Sequence, residues 1–121
     1  YLLDLLLLKM KEEYKNLRIK YPKRVPVVIK EMKGCTLEKK LEENKYLVPD
    51  DLSVAHFIFI LRKRLDLEGK SEVAIFLFVH KEGTRDFSIP TASKDFSEIF
   101  SQYGFADGHL PMYYATENTF G

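Results

Sequence analysis

Tryptophan is absent, cysteine occurs once, at Cys35, and the longest uninterrupted apolar run, Val73 to Val79, has seven residues. A single thiol excludes an intrachain disulfide, a thiolate zinc cluster and an iron–sulfur cage, and it suits a reducing compartment. A bilayer-spanning helix needs roughly 20 apolar residues, so no stretch here is long enough to cross a membrane. The leucine-rich opening, YLLDLLLLKMKEE, lacks a basic leader ahead of the leucines and an obvious small-residue cleavage site after them, and so does not read as a signal peptide. Glycine is sparse and nowhere builds a phosphate-cradling loop. His56, His80 and His109 fall into no His-x-x-x-His pattern, and Cys-x-x-Cys is missing. Cys35 beside Lys33 and Gly34 has no assignable base. The expectation is a chain that is not an enzyme, with structural or exposed histidines and neither metal nor cofactor.

What is present is ordinary globular material: 45% apolar and 31% charged residues over 121 positions, enough for one domain. The net charge of +1 conceals an asymmetry, because residues 9–64 hold 15 Lys/Arg against 8 Asp/Glu while residues 65–121 hold 4 against 9. One end of the molecule is therefore basic and suited to acidic partners or phosphate head groups.

Leu3, Leu6, Leu7, Met10, Tyr14, Leu17 and Tyr21 recur at three- and four-residue spacing, which predicts a helix from about Asp4 to Ile19, stopped by Pro22. Leu2, Leu5 and Leu8 lie partly off that stripe and leave a surplus for packing or association. Val25 to Ile29 reads as a strand, Thr36 to Asn44 carries a weak capped-helix signal, and Tyr46 to Pro49 reads as a second strand. Ser53 caps a helix over 53–65 with Val54, Phe57, Ile58, Leu61 and Leu65 on its core stripe. Ile60 departs from that stripe, which suggests a different partner surface for it. Val73 to Val79 reads as a strand buried on both faces in mid-sheet, left by the turn Lys81 to Thr84. A short helix over Asp95–Tyr103, stopped near Gly104, and a strand over Met112–Ala115 complete the chain. This order predicts an α+β fold: a four-stranded mixed sheet crossed by a central helix, the β-grasp arrangement, with an added amino-terminal helix. The expected division is a helical extension over 1–20, the β-grasp domain over 21–115 and an exposed tail over 116–121. That tail ends in Gly121, whose carboxylate has no Cβ to obstruct a narrow site.

Four blocks in order then carry a resemblance: Lys20-Tyr21-Pro22-Lys23-Arg24-Val25-Pro26-Val27, Lys45-Tyr46-Leu47-Val48-Pro49-Asp50-Asp51-Leu52, Arg62-Lys63-Arg64, and Glu117-Asn118-Thr119-Phe120-Gly121. The chain resembles the autophagy ubiquitin-like modifiers, the family of the GABA-receptor-associated protein and the microtubule-associated light chains. The resemblance covers about residues 13–121 and is poor over 82–88. It implies that Gly121 is joined to the amine of phosphatidylethanolamine by activating and conjugating enzymes, with a cysteine protease that processes and deconjugates. The location implied is cytoplasmic, and autophagosomal membrane once lipidated.

It also implies recognition of aromatic-x-x-aliphatic motifs along the edge of the second strand. By resemblance the aromatic pocket uses Glu13, Leu17, Pro26, Val28, Lys45, Leu47 and the position of His109. The aliphatic pocket uses Tyr46, Val48, Pro49, Leu52, Phe57 and Ile60, and Arg24, Lys45 and Arg64 meet acids flanking the motif. Two departures stand out: His109 where the family usually has phenylalanine, and Pro111 where it has tyrosine. His109 makes the pocket more polar, and Pro111 should delay or bulge the last strand. The rival readings are an unconjugated adaptor for linear motifs, and a basic-face scaffold for microtubule tails or RNA. No specific nucleic acid is expected, since the basic residues lack an aromatic stacking platform.

Overall fold

The computed structural model of the chain describes residues 6–7 (backbone only), 14–35, 37, 40–41 and 44–117. Its centre is β2 (Arg24–Glu31), whose β-branched Val25, Val27, Val28 and Ile29 suit a pleated surface buried on both faces. β3 (Lys45–Pro49) pairs antiparallel with β2, Val27 opposite Tyr46. β5 (Leu110–Thr116) runs parallel to β2 on its other side, Val27 beside Leu110. β4 (Ile75–Phe78) pairs antiparallel with β5, and β1 (Leu6–Leu7) pairs antiparallel with the free side of β3. The order is β1-β3-β2-β5-β4. The four expected strands thus form one mixed sheet, and two residues near the amino terminus add a strip at its margin.

α2 (Val54–Arg64) begins where the Ser53 hydroxyl accepts the His56 N–H at 3.1 Å. It ends in a Schellman turn: the N–H of Leu67 reaches the Arg62 carbonyl at 2.8 Å and that of Asp66 reaches Lys63 at 3.2 Å. Asp66 adopts the left-handed conformation, φ 56°, that glycine usually supplies there. The face of α2 carrying Val54, Phe57 and Leu61 packs with Val27, Ile29, Tyr46, Val48, Leu77, Met112 and Tyr114 into the main core. Each such fully buried Leu, Ile or Phe stabilises the fold by about 1.5–3 kcal/mol. α3 (Phe96–Tyr103), capped by Asp95 and followed by Gly104, adds Phe96 and Ile99 to this core. α1 (Tyr14–Lys20) contacts β2 and buries Leu17. Leu17, Val28 and Leu47 are buried outside the main cluster. Side-chain alternation puts Val28 and Leu47 on the sheet face opposite α2.

Several expectations need correction. Leu6–Leu7 is strand, and the described helix is Tyr14–Lys20, not a continuous helix from Asp4. The run Leu5–Leu8 is apolar at every position, so its spacing matches helix and strand alike. The capped-helix signal over 36–44 lies largely outside the described residues, and Leu37, Lys40, Leu41 and Asn44 are non-helical. β4 sits at an edge, not in mid-sheet, because an apolar run reports two covered faces and says nothing about two paired edges. Thr116 belongs to β5 and is buried, so it is not part of an exposed tail; Glu117 is exposed, and residues 118–121 lie outside the described residues.

Pro111 neither delays nor bulges β5, for it pairs in register with Val28. The N–H of Met32, just past the end of β2, donates to the Tyr114 carbonyl at 2.8 Å, so Tyr114, Met112 and Leu110 turn their peptide groups toward β2. Pro111 therefore turns its nitrogen toward β4, past the end of that ladder at Phe78 opposite Tyr113. The missing donor costs no ladder bond there.

Candidate functional site

The same alternation defines the outer margin of β3. The N–H of Ile29 bonds the Asn44 carbonyl at 2.8 Å and that of Asp50 bonds the Lys23 carbonyl at 2.9 Å. Stepping inward by two, Tyr46 and Val48 face β2 with their peptide groups, so Lys45 and Leu47 turn both N–H and C=O outward. Pro49 turns out a carbonyl alone. This strip is the kind of surface on which an added strand pairs.

The residues expected in the aromatic pocket come together on the sheet face that α1 flanks. Leu47, Pro26 and, by continuing the parallel register one step before Leu110, His109 form one row across β3, β2 and β5. Lys45 and Val28 form the next row. Leu17 is buried on α1, and Glu13 lies outside the described residues. His109 stacks on Tyr14 of α1 with ring centroids 4.6 Å apart, and its Nδ1 lies 2.5 Å from the Asp107 carboxylate. Burial works against ionisation of Asp107, but hydrogen bonds from the His109 ring and backbone, together with the ring's charge, hold its carboxyl below the ordinary value. Gly108 permits the loop's close approach to α1: its φ is 101°, and a Cβ there would meet the Lys15 nitrogen and the Tyr14 carbonyl carbon at 3.3 Å.

The aliphatic set is assembled on the other face as part of the core. Tyr46, Val48, Phe57 and Ile60 are at most 1% exposed, with Leu52 beside them and Pro49 half-buried at the rim. Ile60 is no outlier seeking another surface. The buried arc of α2 is wider than the stripe read from spacing, and the side chain left outside is Phe59, 51% exposed with the Lys63 ammonium 4.7 Å from its ring centroid.

The three expected acid-binding residues all lie against β3. Arg24 donates to the Leu47 carbonyl at 3.2 Å, Lys45 is on the strand itself, and the Arg64 guanidinium stands 5.2 Å from the Tyr46 ring centroid. The Arg64 Nε is buried with no hydrogen-bond partner among the described residues. Gly121 lies outside the described residues. Spacing alone missed two basic side chains. Arg18 donates to the Arg24 carbonyl at 2.9 Å and covers the Phe100 ring, tying α1 to β2 and α3. Arg62 ties the end of α2 to the carbonyls of Val73, Leu67 and Lys70. Arg62 stood out only as part of the Arg62-Lys63-Arg64 block, and Arg18 only as a basic residue within an apolar-spaced segment.

The family described as "Autophagy protein Atg8 ubiquitin like" matches residues 9–121. The chain belongs to the Atg8 family. It is 40% identical over 113 residues to autophagy-related protein 8 of Pichia angusta, a match covering 93% of this chain and 83% of that one. The solved Atg8 of Trypanosoma brucei aligns with a TM-score of 0.70 at 32% identity, over 93% of this chain and 96% of the other. A Plasmodium falciparum Atg8, solved in complex with an Atg3 peptide of the same organism, aligns with a TM-score of 0.66 at 26% identity, over 85% and 86%. The Atg8 assignment makes this chain a ubiquitin-like autophagy protein, and the four blocks quoted above fall within the matched span.

Proposed function

We propose that this protein is attached through Gly121 to phosphatidylethanolamine and that the β3 margin then recruits partners bearing aromatic-x-x-aliphatic motifs. The observation that carries the reading is the Atg8 match running through residue 121, a glycine whose carbonyl carbon no Cβ would shield from an attacking group. In the proposed sequence the carboxylate attacks ATP in an activating enzyme and releases pyrophosphate; an enzyme thiol then displaces AMP, and the acyl group passes by thioester exchange to the thiol of a conjugating enzyme. The lipid amine then attacks the thioester carbonyl, forming an amide and releasing the enzyme thiol. The protein is substrate and tag in this sequence, not catalyst. The Plasmodium Atg8 bound to an Atg3 peptide supports a conjugating-enzyme partner of this kind.

The physical consequence is a change of place. Among the described residues no helix is long and apolar enough to cross a membrane, whereas two acyl chains give stable anchoring. A lipidated chain would move from the cytoplasm to autophagosomal membrane. Arg24, Lys45 and Arg64 beside the β3 margin support the second half of the proposal, since they match acids flanking a bound motif.

Reconstitution with activating and conjugating enzymes, nucleotide and phosphatidylethanolamine liposomes tests the first half by intact mass. Wild type should gain the mass of one lipid and float with the liposomes, and Gly121→Ala should not. An unmodified wild type would overturn conjugation and leave the adaptor reading.

A further inference from the structure

The strip of peptide groups that the motif reading requires is already engaged by this chain. Leu6 stands in register opposite Leu47, and Leu7 opposite Tyr46, in antiparallel pairing. Because Leu47 turns its N–H and C=O outward, the Leu6–Leu47 position is the one where the two backbones exchange hydrogen bonds. We infer that the amino-terminal leucine segment is a tethered occupant of the β3 margin, which a linear motif must displace before it pairs there. This inference rests on the motif-binding reading above.

Two properties of the segment fit a replaceable occupant. The pairing spans only two residues, and strand pairs of that size are marginal in water by themselves. Yet only six residues separate Leu7 from Tyr14, the start of α1. A short tether gives an effective concentration in the millimolar range, enough to keep a weak pairing formed and too little to exclude a ligand of micromolar affinity.

Composition adds a bias. Residues 1–8 contain one charged side chain, Asp4, whereas the margin is flanked by Arg24, Lys45 and Arg64. The occupant therefore supplies backbone pairing with little charge, and a visiting peptide with several acids beside its core matches those cations better. The flanking cations favour acidic-flanked motifs over neutral ones, and the occupant lowers the apparent affinity of all visitors alike, in proportion to the fraction of molecules in which the margin is open.

The test compares the full chain with Leu6→Pro, which removes the N–H facing Leu47, and with a second variant lacking residues 1–8. Amide exchange at Leu47 in the free proteins reads the occupant without any ligand. Titration of a fluorescent peptide with one Trp-x-x-Leu core behind three glutamates reads competition. Exchange at Leu47 should accelerate in both variants, and the peptide should bind them roughly 3- to 10-fold more tightly than wild type. Unchanged exchange at Leu47 in both variants would overturn the inference. So would protection that disappears on dilution, which would assign the occupant to a second copy, or faster exchange with unaltered peptide affinity. If exchange accelerates but no protein binds the peptide, the occupant stands and the motif-binding reading fails.

Discussion

Truncating Ile60 to alanine should destabilise the protein by about 2–5 kcal/mol in urea unfolding, because the side chain is 1% exposed and its removal leaves a cavity in the main core. A loss below roughly 1 kcal/mol would mean that the position faces a partner surface and not the interior. Spacing on α2 identified Val54, Phe57 and Leu61 correctly as core and misjudged Ile60. A helix lying over a curved sheet is covered across more of its circumference than a single stripe, and sequence periodicity reports the centre of that arc better than its flanks. The candidate site was legible to a similar degree. Lys45, Leu47 and Pro26 lie in the family blocks, Val28 and His109 were placed by the wider resemblance, and strand register puts all five on one face. The Arg18 and Arg62 contacts were not legible, since a guanidinium reaching a carbonyl several residues away leaves no periodic trace.

Among the described residues α1 is held by contacts of different kinds: burial of Leu17, the Tyr14–His109 stack, and Arg18 bridging the Arg24 carbonyl and the Phe100 ring. Replacing Arg18 with glutamine should lower the opening free energy of α1 amides by about 1–2 kcal/mol, while β2 and β5 amides keep their protection. Native-state hydrogen exchange checks this, and equal changes in helix and sheet would show that α1 opens only with the whole domain. The existence and type of α2, α3, β2, β3 and β5 were readable because caps, prolines and apolar spacing agree locally. The position of β4 was not, because edge and centre differ in hydrogen bonding alone. Pro111 misled for a related reason: its cost depends on which neighbour its nitrogen faces, a property of sheet order.

The folded chain as a unit should respond to pH at two extremes. Burial, followed by the Glu31 carboxylate to which its hydroxyl donates at 3.3 Å, raises the Tyr114 phenol above its ordinary value of 10.0. The folded phenol thus keeps its proton where an unfolded one has begun to ionise. Its contribution is complete below about pH 10 and is lost as pH climbs beyond that. Tyr114→Phe should accordingly be less stable than wild type at pH 8, with the gap in urea midpoint narrowing steadily as pH climbs above about 10; a constant gap would refute the linkage. Asp107, held low, acts in the opposite sense: its contribution is present above about pH 4 and disappears on acidification below that, so Asp107→Asn should flatten the acid limb.

β1 has a consequence apart from any partner. An uncovered strand edge is a template on which identical chains can stack, and proteins blunt such edges with short covering segments or charge. With Leu6 and Leu7 lying along β3, the rail is closed to stacking, so shortening the amino terminus would trade colloidal solubility at high concentration for a more accessible surface.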